Sequence, residues 1–233
     1  TPGGGFALAY GPVGIEGANA RPFSGAVLPQ GQNGVKMPIP VARITDMLEN
    51  PGGHYDFDGK VCTYPDIRLI YWAGGNPFHH HQDLPRLRRA FARPDTIVVH
   101  DPYWTPMARN ADIVVPSTTS LERNDLSCTR NDPLLVAMQQ VVPPFQNSRD
   151  DYDTFAALAS ALGFGEQFTE GRSSQEWIEH LYGQWRPFVD ADGGNTPTFE
   201  DFWAEGHYRM RTEDNLVLFG DFRENPEKYP LST

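Results

Sequence analysis

Residues 67–101 read IRLIYWAGGNPFHHHQDLPRLRRAFARPDTIVVHD. An apolar run ends in Gly74-Gly75, and a polar loop, Asn76 to Asp83, follows. A short basic amphipathic segment comes next, then a second apolar run that stops at Asp101. This order predicts strand, glycine turn, helix, strand and acid. A parallel sheet uses that order to offer a nucleotide a bare backbone turn for its phosphates and a carboxylate for its ribose hydroxyls.

Further along, ADIVVP (111–116) predicts a third strand, ended by Pro116. The spacing of the three strands fits right-handed βαβ crossovers. The nearly continuous apolar run 67–73 predicts a strand covered on both faces. In LPRLRRAFA, Leu84, Leu87, Ala90 and Phe91 fall on one helical face, with Asp83 as the cap. Residues 104–110 read as a turn or short helix. The fold class is therefore α/β, a parallel sheet with a Rossmann-like dinucleotide-binding unit and helical and irregular flanking segments.

On either side the pattern is looser. The chain has 233 residues, with 22 Gly and 21 Pro, so long loops are expected. Residues 1–40 read as an irregular lead-in, 40–50 as a short helix, and 51–66 as a hairpin or loop. LLVAMQQVV (134–142) is β-leaning. SRDDYDTFAALASALG (148–163) predicts a helix with Phe155, Leu158, Ala159 and Leu162 on one face. SSQEWIEHLYGQW (173–185) predicts another, opened by Ser173 with Glu176 three residues later. The tail 187–233 reads as loop except for a short amphipathic piece at Phe199, Phe202 and Trp203. Three regions result: 1–64, a lead-in with a short helix; 65–145, the nucleotide-binding α/β core; and 146–233, a helical segment with a loop-rich, truncated tail.

Composition narrows the function. A formal net charge of −11 argues against a nucleic-acid binder. No run approaches the roughly 20 apolar residues of a membrane helix. TPGGGFALAYGPVG lacks the basic and apolar regions of a signal peptide, and the chain lacks an initiator Met, so a processed or excised piece is expected. Cys62 and Cys128 form no CxxC pair and read as free thiols, favouring a reducing compartment.

Several residues are candidates for a site. Gly74-Gly75-Asn76-Pro77 reads either as a phosphate-binding turn or as an ordinary tight turn. The G-x-G-x-x-G pattern is absent, so this is not the standard NAD fingerprint. Asp101 stands where a ribose-binding acid belongs, or caps the next turn. Thr105 turns its hydroxyl to a phosphate, or caps residues 106–110. Glu122, Arg123, Asn124 and Asp125 lie on a loop following the third strand. Asp150, Asp151 and Asp153 either offer a carboxylate to a purine edge or favour the first turn of their helix. Three consecutive side chains at His79-His80-His81 cannot all face one ion, so no metal is expected there. In an open α/β sheet, ligands bind outside the carboxyl ends of the strands. The loops 75–83, 101–105 and 118–125 all belong on that edge. No nucleophile–base pair stands out.

At GGNPFHHHQDLPRLRRAF, TIVVHDPYWTPMARNADIVVPSTTSLERND and VVPPFQNSRDDYDTFAALA the chain resembles the molybdopterin oxidoreductases of the dimethyl-sulfoxide reductase type. The branch it resembles most is that of the biotin sulfoxide and trimethylamine-N-oxide reductases. VLPQGQNGVKMPIPVARITDMLENPG (27–52) and TYPDIRLIYWAGGNPFHHH extend the likeness to nearly the whole chain. The resemblance implies a central fragment of a longer enzyme that holds molybdenum between two molybdopterin guanine dinucleotides and reduces an S-oxide or N-oxide. It implies that Gly75, Asn76 and His80 contact the pterin–pyrophosphate side and that Asp101 holds the guanosine ribose. Thr105 would then lie near the phosphates, and Arg123 and Asp153 near the guanine or its phosphates. The molybdenum-ligating residue of such enzymes falls outside the matching segments, so no catalytic residue is assigned. The partners implied are the remaining domains, the small oxide substrate and an electron donor, either a protein or an NAD(P)H-linked reductase. Relatives include cytoplasmic and periplasmic enzymes, and a cytoplasmic one is favoured. Two other readings are a nicotinamide-dependent dehydrogenase domain and a non-enzymatic α/β interaction module.

Overall fold

A computed structural model describes residues 25–35, 37–129, 133–212 and 220–228. The lead-in before residue 25 and the last residues of the tail, 229–233, lie outside them. The elements, in order, are α1 (Ile44–Glu49, preceded by a 3₁₀ turn at Val41–Arg43), β1 (His54–Phe57), β2 (Lys60–Thr63), β3 (Leu69–Ala73), α2 (Pro77–His80), α3 (Leu84–Phe91) and β4 (Thr96–Asp101). After a 3₁₀ turn at Ala108–Asn110 come β5 (Ile113–Pro116), β6 (Asp125–Cys128), β7 (Leu134–Met138), α4 (Asp151–Ala161), α5 (Gly165–Thr169), α6 (Ser174–Ala191), α7 (Phe199–Glu205), β8 (His207–Arg209) and α8 (Gly220–Glu224). This is a mixed α/β architecture: one parallel three-stranded sheet, one antiparallel three-stranded sheet and a hairpin.

The chain divides into two compact units, one of residues 30–123 and 142–168, the other of the remainder. In the first, β3, β4 and β5 form the parallel sheet in that order. Trp72 pairs with Val99, and Val99 with Val114. The central strand β4 is the buried one, with Ile97 and Val99 at 4% and 0% exposure. The expectation that 67–73 is covered on both faces does not hold. β3 is an edge strand, so its residues alternate: Ile70 and Trp72 pack on the core, while Leu69 is more than half exposed.

That core is filled by Leu48, Phe78, Leu87, Ala90, Phe91, Val99 and Met107. The predicted face of α3 is buried at Leu87, Ala90 and Phe91, while Leu84, in its first turn, stays exposed. Pro at the start of α3 and the Asp83 carboxylate, accepting from Arg86 N at 3.2 Å, fix where the helix begins. Arg86 then reaches Asp46 and Glu49 of α1 at 2.6 and 2.7 Å, tying the two helices together. Residues 54–63 form an antiparallel hairpin, β1–β2, whose turn carries Asp58 and Gly59 at positive φ.

In the second unit β7 is the middle strand of the antiparallel sheet, flanked by β6 and β8. Its core gathers Leu135, Tyr182, Trp185, Phe202 and Met210. The capping box at Ser173 and Glu176 is formed in full. α6 runs further than its sequence suggests, through Pro187 to Ala191. Proline removes a single backbone hydrogen bond. Buried Tyr182 and Trp185 before it, and Val189 packed after it, hold the helix against the same core.

Candidate functional site

The carboxyl ends of a parallel sheet carry unpaired backbone groups and the loops that leave the strands, so polar side chains gather there. In this sheet those loops start at residues 74, 102 and 117. A fourth segment joins them. Ser117 forms a parallel bridge with Arg149, Thr118 N donates to Arg149 O at 3.1 Å, and Arg149 N donates to Pro116 O at 3.0 Å. The N-terminus of α4 is thereby docked beside the end of β5.

At the end of β3, Gly74 and Gly75 both adopt left-handed backbone, with φ of 82° and 78°. Two successive residues of this kind require glycine. A Cβ at Gly74 would meet nothing within 4 Å, so the turn faces open space. Asn76 caps α2, its side-chain oxygen accepting from Phe78 N at 3.2 Å, with buried Pro77 in the first turn. Its amide N–H₂ is the part left to donate to a ligand. His79 and His80 close α2 and are exposed.

At the end of β4, Asp101 is buried, at 8% exposure. One carboxylate oxygen accepts from Tyr103 N at 3.0 Å and the other from Thr105 Oγ1 at 2.5 Å. Thr105 Oγ1 in turn accepts from Ala108 N at 3.2 Å. Asp101 therefore shapes its own loop, and the Thr105 hydroxyl is spent within it. Each carboxylate oxygen accepts more than one hydrogen bond, so room for a ribose hydroxyl remains. The loop presents Tyr103 and Trp104, each about two-thirds exposed.

Beyond β5, Arg123 donates to Thr118 O at 3.0 Å. Glu122 accepts from Thr119 N, Thr119 Oγ1 and Phe145 N at 2.7, 2.8 and 2.7 Å. These donors, the Thr119 amide and hydroxyl foremost, hold the Glu122 carboxyl below the usual range. Asn124 and Asp125 belong to the other unit, so the four-residue polar loop is divided between the two. Asp150 caps α4 through Tyr152 N at 3.1 Å, and Asp153 is exposed in its first turn.

A group the sequence did not single out lies among these. His100, 3% exposed, hydrogen bonds on both sides. Its Nδ1 meets Asp151 Oδ1 at 2.7 Å and its Nε2 meets Tyr71 OH at 2.7 Å. A carboxylate only accepts, so Nδ1 carries a proton, and in the neutral ring Nε2 accepts from the phenol. Phe155 stacks on the imidazole, with ring centres 5.0 Å apart and planes 17° from parallel. Burial, and then the Asp151 charge, raises the Tyr71 pKa and keeps it a donor. The sequence signal was the His-Asp pair at the strand end, but its partners, Tyr71 and Asp151, are distant in sequence.

Two buried side-chain atoms among the described residues lack a hydrogen-bond partner: Trp72 Nε1 and Thr118 Oγ1. Both fall at the carboxyl ends of the parallel strands. Trp72 Nε1 lies 3.8 Å from where a Gly75 Cβ would stand. Orphaned buried polar groups are rare and costly, and they collect where a ligand completes the structure. An open glycine turn, a strand-end carboxylate, an arginine and two unmet polar atoms fit a phosphorylated nucleotide. Among the described residues no group of three or more His, Cys, Asp or Glu is placed to hold a metal ion.

Comparison with known proteins shows the family of the chain. The chain is 45% identical over its whole length to the biotin sulfoxide reductase of Cereibacter sphaeroides, covering 31% of that protein. It is 43% identical to the dimethyl sulfoxide/trimethylamine N-oxide reductase of the same organism and 41% identical to the trimethylamine-N-oxide reductase of Haemophilus influenzae, in each case over the whole chain and 30% of the relative. It thus spans about a third of the length of these relatives. Among solved structures, acetylene hydratase from Pelobacter acetylenicus shares the fold of 67% of the chain and 20% of its own, with a TM-score of 0.51 at 22% identity. The sequence pattern of the molybdopterin oxidoreductases matches residues 14–161, and that match takes in the entire parallel sheet and α4. The chain belongs to the molybdopterin oxidoreductase family.

Proposed function

We propose that this chain is a segment of a longer molybdenum enzyme that reduces an S-oxide or N-oxide, and that its parallel sheet holds a molybdopterin guanine dinucleotide. The observation that carries the reading is the convergence of Gly74-Gly75, Asp101 and the start of α4 on one sheet edge, where both orphaned polar atoms also fall. The sheet is read as Rossmann-like on the same ground: β3, the glycine turn, α2–α3 and β4 ending in an acid.

When bound, the molybdenum cofactor supplies a two-electron oxygen-atom transfer that, with two protons, converts a sulfoxide or N-oxide to the sulfide or amine and water. This chain's residues bind and orient it. Gly74 and Gly75 let a pyrophosphate approach backbone N–H groups without a Cβ in the way. Asn76 and His80 flank that turn and donate to the pterin–pyrophosphate side. Asp101 accepts the ribose hydroxyls while holding its own loop. Thr105 supports the phosphates by fixing Asp101 rather than by contact. Arg123 and Asp153 stand on the side of the base, the arginine offering charge and the carboxylate accepting from a purine's N–H groups. The names of the relatives point to biotin sulfoxide, dimethyl sulfoxide or trimethylamine N-oxide as the class of substrate. The remaining domains of the enzyme are the first partners implied.

The test is Asp101→Ala in the whole enzyme, with molybdenum and guanine released by denaturation counted per protein. Substoichiometric guanine and molybdenum are expected. Unchanged content of both overturns the ribose assignment.

A further inference from the structure

Asn33 is followed by Gly34, the one Asn-Gly pair in the sequence. Residues 27–35 are exposed and belong to no helix or strand, and Val35 is 72% exposed. Within this stretch the Asn33 side chain folds back on its own backbone: Val35 N donates to Asn33 Oδ1 at 2.9 Å. That bond closes a ring of atoms running through the Gly34 nitrogen, and it draws electrons from the Asn33 side-chain carbonyl carbon. Gly34 has no Cβ to screen its nitrogen, and nothing stands within 4 Å of where a Cβ would be. Other asparagines lack this combination. Asn50, Asn76 and Asn225 precede proline, whose nitrogen carries no proton. Asn110 and Asn124 hold their side-chain amides in hydrogen bonds, to Pro106 O at 2.7 Å and to Gln175 Oε1 at 2.9 Å, and a residue with a Cβ follows each. Asp58-Gly59 and Asp192-Gly193 offer the same kind of nitrogen but a charged carboxylate, a far poorer electrophile than an amide.

We propose that Asn33-Gly34 is a site of spontaneous covalent modification, at which the chain converts asparagine to aspartate and isoaspartate without an enzyme. The Gly34 nitrogen loses its proton to hydroxide and attacks Asn33 Cγ, forming a C–N bond. Negative charge collects on Oδ1, where the Val35 N–H already donates, an oxyanion site with one protein donor. The Cγ–Nδ2 bond then breaks, and Nδ2 takes a proton from water and leaves as ammonia. The product is a five-membered cyclic imide. Water adds to either of its carbonyls. Opening on one side restores the backbone with an aspartate side chain; opening on the other routes the backbone through Cγ and leaves isoaspartate. Nothing is oxidised or reduced: one water enters and one ammonia departs. Each event adds a negative charge to an exposed stretch, and isoaspartate also lengthens the main chain by a methylene.

The experiment incubates the whole enzyme at neutral and at mildly alkaline pH and follows the peptide containing residue 33 by mass spectrometry. Isoaspartate is counted with an isoaspartate-specific methyltransferase and a labelled methyl donor. The amide-to-acid mass change is expected at residue 33, growing with time, faster at the higher pH, and accompanied by isoaspartate. Gly34→Ala should slow it roughly tenfold or more, because a Cβ screens the attacking nitrogen. Val35→Pro removes the N–H that donates to Oδ1 and should slow it roughly three- to tenfold, the worth of one hydrogen bond. Asn33→Gln, which would have to close a larger ring, should abolish the signal. These positions are exposed, so each variant keeps the core intact. An amide that stays intact at residue 33 of the whole enzyme, while a synthetic peptide of residues 27–35 reacts, overturns the proposal. Acid formed without isoaspartate, or formed in Gly34→Ala at the wild-type rate, means direct hydrolysis by water and overturns the cyclic route. A wild-type rate in Val35→Pro overturns the role given to the Val35 amide.

Discussion

Replacing Asp101 tests whether one carboxylate both builds the loop after β4 and serves a ligand. In Asp101→Ala three things change. Tyr103 N–H loses its acceptor, but Tyr103 is largely exposed, so water replaces it at a cost near the low end of about 0.5–1.5 kcal/mol. The half-buried Thr105 hydroxyl loses a charged acceptor, a bond worth about 1.5–3 kcal/mol. Thr105 then turns more freely, which weakens its hold on Ala108 N–H. The total is a loss of about 2–3 kcal/mol. Asp101→Asn keeps the carbonyl oxygen for Tyr103 and exchanges a charged bond to Thr105 for a neutral one, losing about 1 kcal/mol. The assay is amide hydrogen exchange. The slowest amides of β4 report global opening of the unit, and Tyr103 and Ala108 report the loop. Exchange at Tyr103 and Ala108 should accelerate in the alanine variant more than in the asparagine one. If alanine leaves β4 protection within about 0.5 kcal/mol of wild type, or the two variants behave alike, Asp101 does not organise the loop as argued.

Other outcomes follow from the same reasoning. Leu87→Ala removes a wholly buried side chain from the first core and should cost about 2–5 kcal/mol by denaturant unfolding. Ser173→Ala removes the hydroxyl that accepts from Glu176 N–H, leaves the backbone N–H of residue 173 on the Glu176 carboxylate, and should cost about 1 kcal/mol, read from the exchange of Glu176 N–H. Burial pushes the Tyr182 phenol up to about 12. Its contribution is therefore complete below pH 10 and is lost as pH rises from there toward 12; Tyr182→Phe should abolish that loss in a pH series of unfolding curves. Glu122 behaves in the opposite sense. Its carboxyl is lowered by the Thr119 and Phe145 donors, so the stability it adds is present above the ordinary glutamate pKa and is lost as pH falls through the lowered value. Glu122→Gln should flatten that acid limb.

Much of the first unit was legible in the chain. The strand–glycine–helix–strand–acid order of residues 67–101 places β3, α3 and β4 where periodicity predicts, because apolar spacing, Pro and the Asp83 cap all agree there. The exposure of β3 was not legible. An apolar run reads alike in an edge and a central strand, and strand order is set by pairing across the sheet. The extension of α6 through Pro187 escaped because local propensity ends a helix at proline, whereas packing of Tyr182, Trp185 and Val189 carries it on. Asp101 was legible as the acid that ends β4 and as a cap of the turn after it, and the bonds it accepts from Tyr103 N and Thr105 Oγ1 are that cap. His100 was missed because its meaning lies in Tyr71 and Asp151, residues that only the folded sheet brings to it.

The most direct measurement is a crystal structure of the whole enzyme carrying its cofactor. The account predicts a guanosine ribose with a hydroxyl within hydrogen-bond distance of the Asp101 carboxylate, and a pyrophosphate over Gly74-Gly75. A cofactor whose ribose and phosphates lie away from the carboxyl ends of β3 and β4 would contradict it.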